Sequence, residues 1–102
     1  MAQFDIHRFA DGQGRARYVV DLQSDLLSAL STRVVAPAYP LMAGVHRITR
    51  LNPELDVKGS AYFLAVQEMA AVKRSLLGTT IGSAAARRDN IIAAIDLLIT
   101  GI

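Results

Sequence analysis

Residues that favour turns recur along most of the chain and leave only short segments between them. Asp11-Gly12-Gln13-Gly14, Tyr39-Pro40 and Lys58-Gly59 each interrupt a run that is rich in apolar residues. Turns spaced about eight to twelve residues apart leave room for strands but not for long helices, so this spacing predicts a small antiparallel β-barrel or a bent sheet. The predicted strands are residues 3–9, 16–22, 32–38, 55–57, 60–66 and 71–77, and residues 41–50 remain ambiguous.

The one long segment with a helical period lies at the C-terminal end, from Gly82 to Ile102. On 3.6 residues per turn, one apolar stripe forms, flanked by two further isoleucines. The stripe is Ile91, Ile95 and Leu98, with Ile92 and Ile99 beside it. A run of strands followed by one helix predicts an α+β fold that is mainly β, an SH3-like antiparallel barrel or bent sheet with one C-terminal α-helix.

The ends of this helix carry capping residues and some surplus apolar surface. Ser83 is suited to the N-cap and Gly101 to the C-terminal cap. Leu97 falls outside the stripe and Ile102 follows the glycine, so both remain after the core is covered. The pattern alone favours a frayed end, and the alternative is that the helix tip is a recognition element.

Size and composition indicate one domain over residues 1–102 that has more apolar surface than it can hide. Hydrophobic residues make up 52% of the 102 residues and charged residues 20%, with mean hydropathy +0.30. A small monomer cannot easily bury so much, which favours oligomerisation. No apolar run reaches the roughly 18 to 20 residues that span a bilayer, and the start lacks a secretory signal, so we expect a cytoplasmic protein without a membrane contact.

Side chains that could perform catalysis are few. The chain has no cysteine and two histidines, His7 and His46. His7 occupies the polar phase of the first predicted strand, so an exposed surface histidine is the preferred interpretation, and the same holds less strongly for His46 beside Arg47. The sequence therefore predicts no catalytic residue and no cofactor.

Carboxylates also lack the partners that a metal or acid–base site requires. Glu54 and Asp56 would share one face at the solvent end of a strand, where we interpret them as solubilising charges. Asp21 and Asp25 flank the Gln23-Ser24 turn, and acidic groups there more often accept hydrogen bonds from backbone N–H groups than bind metal. No metal site is expected.

Basic residues occur in pairs, yet the net charge is only +2. The pairs are Arg15/Arg17, Arg47/Arg50, Lys73/Arg74 and Arg87/Arg88. An RNA-binding surface would need them on one face with aromatic residues between them, and the chain has only six aromatics. Direct nucleic-acid binding is not expected, and the residues favour a binding module.

Several segments closely resemble the CcdB family, the gyrase-poisoning toxins of plasmid and chromosomal toxin–antitoxin modules. The resemblance covers nearly the whole chain, and its most specific parts are Asp21-Leu22-Gln23-Ser24-Asp25 and the terminal Gly101-Ile102. The other matching segments are Gln3-Phe4, Tyr18 to Val20, Leu26-Leu27, Arg33 to Pro37, Met69 to Val72, Ser75 to Gly78 and the helix from Arg87.

The resemblance implies an SH3-like barrel, a homodimer and two partners, namely the gyrase A subunit and a cognate antitoxin with a disordered C-terminal segment. It implies that the toxin binds gyrase without chemistry of its own and traps the cleaved-DNA complex. Carried over by position, the gyrase-binding surface consists of Leu26, Leu27, Asp96, Ile99, Thr100, Gly101 and Ile102.

The chain departs from the family pattern at the helix tip. Ile99 and Thr100 stand where the plasmid toxin has phenylalanine and tryptophan, and Asp96 replaces an asparagine. The alternatives are therefore a homologue that binds an antitoxin but has lost or changed its topoisomerase target, and an endoribonuclease of the related toxin fold that uses an arginine with His46 or an acid.

Overall fold

The computed structural model describes residues 2–9 and 18–101, and within them the chain forms a curled antiparallel sheet and one α-helix. The strands are β1 (Asp5–Phe9), β2 (Tyr18–Asp21), β3 (Thr32–Pro40), β4 (Glu54–Val57), β5 (Ser60–Leu64), β6 (Ala70–Lys73) and β7 (Leu77–Ser83), and the helix is α1 (Arg88–Thr100). Single 3₁₀ turns cover residues 25–27, 66–68, 74–76 and 85–87. The predicted α+β, mainly β class is confirmed.

Strand β3 organises the sheet because it pairs with three neighbours. The order is β4-β5-β3-β2-β1-β7, and β6 pairs with the first half of β3. Thr32 lies opposite Lys73 of β6, and Pro40 lies opposite Tyr62 of β5. The partner changes at Pro37, whose carbonyl oxygen accepts a hydrogen bond from the Ala65 N–H at 2.9 Å. A proline has no N–H to leave unpaired at this junction.

Helix α1 joins the core through its first two turns. Ile91 and Ala94 are fully buried, and Ile92 and Ile95 pack against the same cluster. The predicted stripe is thus correct at its start and wrong at Leu98, which is 36% exposed. The strand residues of this cluster include Ile6, Val20, Ala36, Leu55, Val57 and Leu64.

The segment before the helix differs from the prediction. Residues 78–82, expected as a connection, belong to β7, which pairs with β1. Gly78 allows the two strands to approach closely there, because a Cβ would lie 3.2 Å from the carbonyl oxygen of Arg8. The helix begins at Arg88, and Ser83, the expected N-cap, ends β7 and accepts a hydrogen bond from the Ala85 N–H at 3.1 Å.

Three turns were predicted between the strands, and the structure describes two of them. The loop expected at Tyr39-Pro40 is the end of β3, while the turn expected at Lys58-Gly59 is present, with φ of 53° and 83°. The hairpin loop predicted at residues 11–14 lies outside the described residues.

His7 contradicts the expectation of an exposed side chain, because only 2% of it is accessible. The β1–β7 pairing shifts register on both sides of His7. Irregularities of this kind interrupt the simple alternation of a strand, which is the basis on which His7 was expected to face solvent. Its Nδ1 lies 3.1 Å from the Gly78 carbonyl oxygen and 3.3 Å from the Thr80 hydroxyl. His7 therefore holds β7 against β1.

Candidate functional site

The turn between β2 and β3, residues 24–30, is anchored by a buried ion pair at its base. The Nε and Nη2 groups of Arg33 donate to Oδ2 of Asp21 at 3.0 and 2.6 Å, and both side chains are essentially inaccessible. Oδ1 of Asp21 accepts from the Gln23 N–H at 3.0 Å. Breaking such a pair leaves an uncompensated buried charge, which costs about 3–5 kcal/mol. We call residues 24–30 the leucine turn. The buried ion pair therefore fixes the base of the leucine turn.

Gln23 ties the leucine turn to the sheet from within. Its Nε2 donates to the Leu27 carbonyl oxygen at 3.0 Å, and its Oε1 accepts from the Val34 N–H at 3.0 Å. Ser24 Oγ accepts from the Leu26 N–H at 3.2 Å, as a residue at the start of a short helical turn commonly does. Gln23 and Ser24 thus provide hydrogen-bond partners for part of the backbone of the turn.

Two segments distant in sequence hold the leucine turn from outside. The Gln3 N–H donates to Oδ1 of Asp25 at 2.8 Å, and Arg74 Nη1 donates to the Ser28 carbonyl oxygen at 3.0 Å. The prediction that Asp21 and Asp25 accept hydrogen bonds from backbone N–H groups is confirmed.

The aliphatic side chains of this rigid turn point to solvent. Leu26 is 94% exposed and Leu27 51%. Leu30 of the same turn is also exposed, and so is Leu76 of the 3₁₀ turn at residues 74–76. Burying one leucine completely stabilises by roughly 1.5–3 kcal/mol, so a rigid frame that displays leucines keeps a substantial binding free energy available for a partner.

The C-terminal end of α1, hereafter the helix tip, displays a second apolar group. Ile99 is 65% exposed, and Asp96 and Thr100 are exposed beside it. The Thr100 hydroxyl donates to the Asp96 carbonyl oxygen at 2.7 Å. Gly101 adopts φ of 77° and its N–H donates to the Leu97 carbonyl oxygen at 3.0 Å, which confirms the predicted glycine cap. Ile102 lies outside the described residues.

The leucine turn and the helix tip are held by different parts of the chain. Helix α1 packs against the 3₁₀ turns at residues 66–68 and 85–87, whereas the leucine turn is held by Gln3, Arg33 and Arg74. No hydrogen bond within residues 2–9 and 18–101 connects the two. The leucine turn and the helix tip are thus both exposed, but within the described part of one chain no hydrogen bond joins them.

Among the described residues, His46 has no side-chain hydrogen bond to Arg47 or to a carboxylate. His46 is exposed, and Arg47 donates to the Asn52 carbonyl oxygen at 2.8 Å and lies 3.9 Å from Glu54. Glu54 and Asp56 are both exposed, as expected. Among residues 2–9 and 18–101, no cluster of three His, Asp or Glu side chains could hold a metal ion.

The sequence pattern does not predict one cluster of basic side chains. Arg47, Arg50 and Arg87, which belong to two of the four basic pairs, line one groove between the loop before β4 and the start of α1. The pairing of Arg47 with Arg50 was visible in the sequence. Their approach to Arg87 was not, because residues 41–50 carry no periodicity and their path depends on Asn52.

Three solved structures share the fold of this chain. An endoribonuclease in complex with its cognate antitoxin from mycobacterial species has a TM-score of 0.80 at 12% identity, with 97% of this chain and 94% of that chain covered. The Mycobacterium tuberculosis toxin MazF-mt6 has a TM-score of 0.74 at 19% identity, with coverage of 92% and 94%. A further toxin described as from Mtb has a TM-score of 0.73 at 18% identity, with coverage of 92% and 99%. The chain therefore has the same fold as these three proteins.

The family is shown by sequence. The model of the CcdB family, described as CcdB protein, matches residues 3–101. The chain therefore belongs to the CcdB family, whose members are toxins of toxin–antitoxin modules. In the described residues, no helix is long and apolar enough to cross a membrane.

Proposed function

We propose that this protein is a toxin that binds the A subunit of DNA gyrase and traps the cleaved-DNA complex without chemistry of its own. The observation that carries the proposal is the rigid exposure of Leu26 and Leu27 on a hydrogen-bonded turn. The helix tip, with Asp96, Ile99, Thr100, Gly101 and Ile102, supplies the second half of the surface. Membership in the CcdB family supports the target.

The surface would be complete in a homodimer. The leucine turn and the helix tip are anchored separately in one chain, and large exposed side chains include Leu26, Leu27, Leu30, Leu76 and Ile99. A second protomer would bury part of this apolar area and bring the two groups together around a two-fold axis. Sedimentation of the purified protein should give twice the chain mass of 11.0 kDa.

A cognate antitoxin would neutralise the toxin in the cytoplasm, where both partners would meet it. The neighbouring endoribonuclease was solved with its own cognate antitoxin, which supports this kind of partner for the fold. Co-expression with a cognate antitoxin should restore growth.

A DNA cleavage assay with purified gyrase tests the proposal. The wild-type chain should produce linear DNA, and Leu26→Ser and Ile99→Ser should each raise the concentration required by about 30-fold, since one apolar anchor contributes about 2 kcal/mol. Ile48→Ser is the matched control, because Ile48 is 61% exposed, nearly as much as Ile99, but lies in a different loop. Absence of linear DNA at saturating toxin would overturn gyrase poisoning.

Thr100 defines an alternative within the family, namely a homologue with a lost or altered topoisomerase target. The hydroxyl is engaged with the Asp96 carbonyl oxygen and offers no aromatic anchor. Expression in a gyrase-resistant host separates the two cases. Growth arrest that persists there would favour a changed target, and growth arrest that disappears would favour gyrase.

The second candidate function is that of an endoribonuclease, favoured by the fold shared with the mycobacterial endoribonuclease. An arginine with His46 or an acid would form its site. Arg47, next to His46, is exposed at only 21% and is held by Asn52 and Glu54. Incubation of RNA with wild type and with His46→Ala/Arg47→Ala tests it, and cleavage that survives in the double variant would exclude this site.

A further inference from the structure

A small depression beside the leucine turn is lined by side chains that can all donate hydrogen bonds. It has a volume of about 430 Å³, and its lining residues are Ser31, Lys73, Arg74 and Ser75. Two of these side chains carry a positive charge, the other two carry hydroxyl groups, and none of the four is acidic. We call these four residues the basic depression. Their chemistry is suited to an anionic group.

The pairing of β3 with β6 places the basic depression next to the leucine turn. Thr32, at the start of β3, lies opposite Lys73, at the end of β6. The Arg74 N–H donates to the Ser31 carbonyl oxygen at 2.9 Å. Residues 73–75 therefore run alongside the point where the leucine turn joins β3, and the basic depression borders the leucine turn.

The leucine turn fixes the side chain of Arg74. Its Nη1 donates to the Ser28 carbonyl oxygen at 3.0 Å. Arg74 forms no ion pair with a residue in the described part of the chain. Because a guanidinium carries five N–H donors, donors remain for an anion after the bond to Ser28 is made.

Lys73 adds a second positive charge that no carboxylate neutralises. Its side chain is exposed and forms no ion pair within residues 2–9 and 18–101. Asp25 is the one carboxylate of the leucine turn, but it accepts from the Gln3 N–H and does not line the basic depression. Two neighbouring cations repel each other, and an anion bound between them relieves this repulsion.

Exposed leucines adjoin the basic depression on both of its chain segments. Leu30 precedes Ser31 and is 50% exposed, and Leu76 follows Ser75 and is 42% exposed. A partner that covers these leucines gains free energy from the burial of apolar area. The basic depression would then lie at the edge of the covered area, where a charge mainly changes the rate of association and the choice of partner.

We propose that the basic depression binds one carboxylate side chain at the edge of the protein surface that covers the leucine turn. This inference rests on the proposed function, in which that surface belongs to the gyrase A subunit. The leucines contribute most of the affinity, and Lys73 and Arg74 favour a partner with an acidic residue beside its apolar contact surface. Lys73 and Arg74 are therefore specificity-determining residues.

The surroundings of the basic depression favour a carboxylate over a DNA phosphate. Two cations are enough for one carboxylate, whereas a nucleic-acid backbone is bound through a series of phosphate contacts. Leu30 and Leu76 would face a charged backbone without burying apolar area against it. The net charge of +2 also gives little attraction to DNA over longer distances.

Binding kinetics with the purified gyrase A subunit, in the absence of DNA, test the proposal. At about 0.15 M salt, Lys73→Gln should lower the association rate constant about 2- to 5-fold, because it removes an exposed charge that attracts the carboxylate. The decrease should disappear at about 1 M salt, where the screening length is about 3 Å. Leu26→Ser should instead raise the dissociation rate constant at both salt concentrations.

Lys58→Gln is the matched control, because it removes the same charge from the only other lysine of the chain. Lys58 is exposed in the turn between β4 and β5 and does not line the basic depression. Lys73→Gln should leave the midpoint of urea unfolding unchanged, since Lys73 forms no ion pair with a described residue. Equal association rate constants for Lys73→Gln and Lys58→Gln would overturn the proposal.

NMR titrations of the isotope-labelled protein test the basic depression without gyrase. The probes are the peptide acetyl-Leu-Glu-Leu-amide, its Leu-Gln-Leu counterpart and a DNA duplex of about 20 base pairs. The Glu peptide should bind about 2- to 5-fold more tightly than the Gln peptide, with amide shifts at Ser31 and residues 73–76, and Lys73→Gln should abolish this preference. Equal binding of the two peptides would overturn the proposal, and so would tighter binding of the duplex at the same amides.

These measurements separate the failure of this proposal from the failure of gyrase binding. Wild-type protein that prefers the Glu peptide but does not bind the gyrase A subunit would contradict the target and support the carboxylate site. Binding to gyrase A that Leu26→Ser weakens and Lys73→Gln does not would support the target and contradict the carboxylate site.

Discussion

The leucine turn and the helix tip both display large aliphatic side chains, but the chain fixes them by different means. The leucine turn is held by a buried ion pair, by both ends of the Gln23 amide and by Gln3 and Arg74. The tip is closed by the hydrogen bonds of Thr100 and Gly101, and no side chain from another described segment forms a hydrogen bond to it. A preorganised surface loses less entropy on binding than one that must be ordered.

This difference assigns separate roles in the proposed complex. The leucine turn would serve as a rigid platform, with its backbone conformation decided before a partner arrives. The helix tip would adjust, because few contacts outside the helix limit its last turn. Changes at the base of the leucine turn should therefore affect folding and binding together, and changes at the tip should affect binding far more than folding.

Replacing Asp21 with asparagine should produce the largest loss. Arg33 would remain buried with its charge uncompensated, and its Nη1 already has no hydrogen-bond partner among the described residues. We expect the free energy of unfolding to fall by about 3–5 kcal/mol, measured by urea denaturation. Asp56→Asn, at an exposed position of β4, is the matched control and should change it by less than about 0.5 kcal/mol.

If Asp21→Asn fails to fold, the double variant Asp21→Asn/Arg33→Met keeps the test informative. Removing both charges should recover part of the loss, because the buried charge is then absent. A double variant no more stable than the single one would contradict the ion pair as the cause.

Gln23→Ala should have an intermediate effect that is centred on the leucine turn. The Val34 N–H and the Leu27 carbonyl oxygen would both lose their partner, which costs about 1–3 kcal/mol for a buried group. Relative to wild type, the variant should show a larger increase in amide hydrogen exchange at Leu26 and Leu27 than at Ile95. Unchanged exchange in the turn would mean that Gln23 does not hold it.

Gly101→Ala should have the smallest effect on folding. A Cβ at Gly101 meets no atom within 4 Å, so only the left-handed backbone conformation is penalised, by about 1 kcal/mol. The helix tip can fray to relieve this strain, so the midpoint of thermal unfolding should move by a few degrees at most. Faster hydrogen exchange confined to the last turn would agree, and a large shift of the midpoint would show that the tip is part of the core.

Local chemistry was sufficient to predict much of the leucine turn. Asp21 and Ser24 each accept from a backbone N–H two residues further along the chain, and such turn chemistry is encoded in the residue types. The bond from the Gln3 N–H to Asp25 joins residues 22 positions apart and is not local. The adjacent leucines could not both face a core from a strand, so the exposure of one was foreseeable. The ion pair with Arg33 was not, because it depends on how β2 and β3 align.

Predictions failed where pairing between distant strands decides the outcome. Strand β7 contains two threonines and two glycines and has almost no apolar alternation, so its sequence indicates a loop. It forms a strand because its backbone pairs with the edge of β1 that β2 does not occupy. The irregular register of this pairing also buries His7. The end of β3 at Pro40 likewise follows from the pairing with β5.

The sequence by itself determined the mainly β fold with one terminal helix, the glycine cap at Gly101 and the family. These features arise from short-range periodicity, turn chemistry and matching segments, all of which can be read along the chain. Only the tertiary structure decided the burial of His7, the seventh strand and the arginine groove. Each of these depends on contacts between residues about 35 to 80 positions apart, which become neighbours only after the sheet has curled.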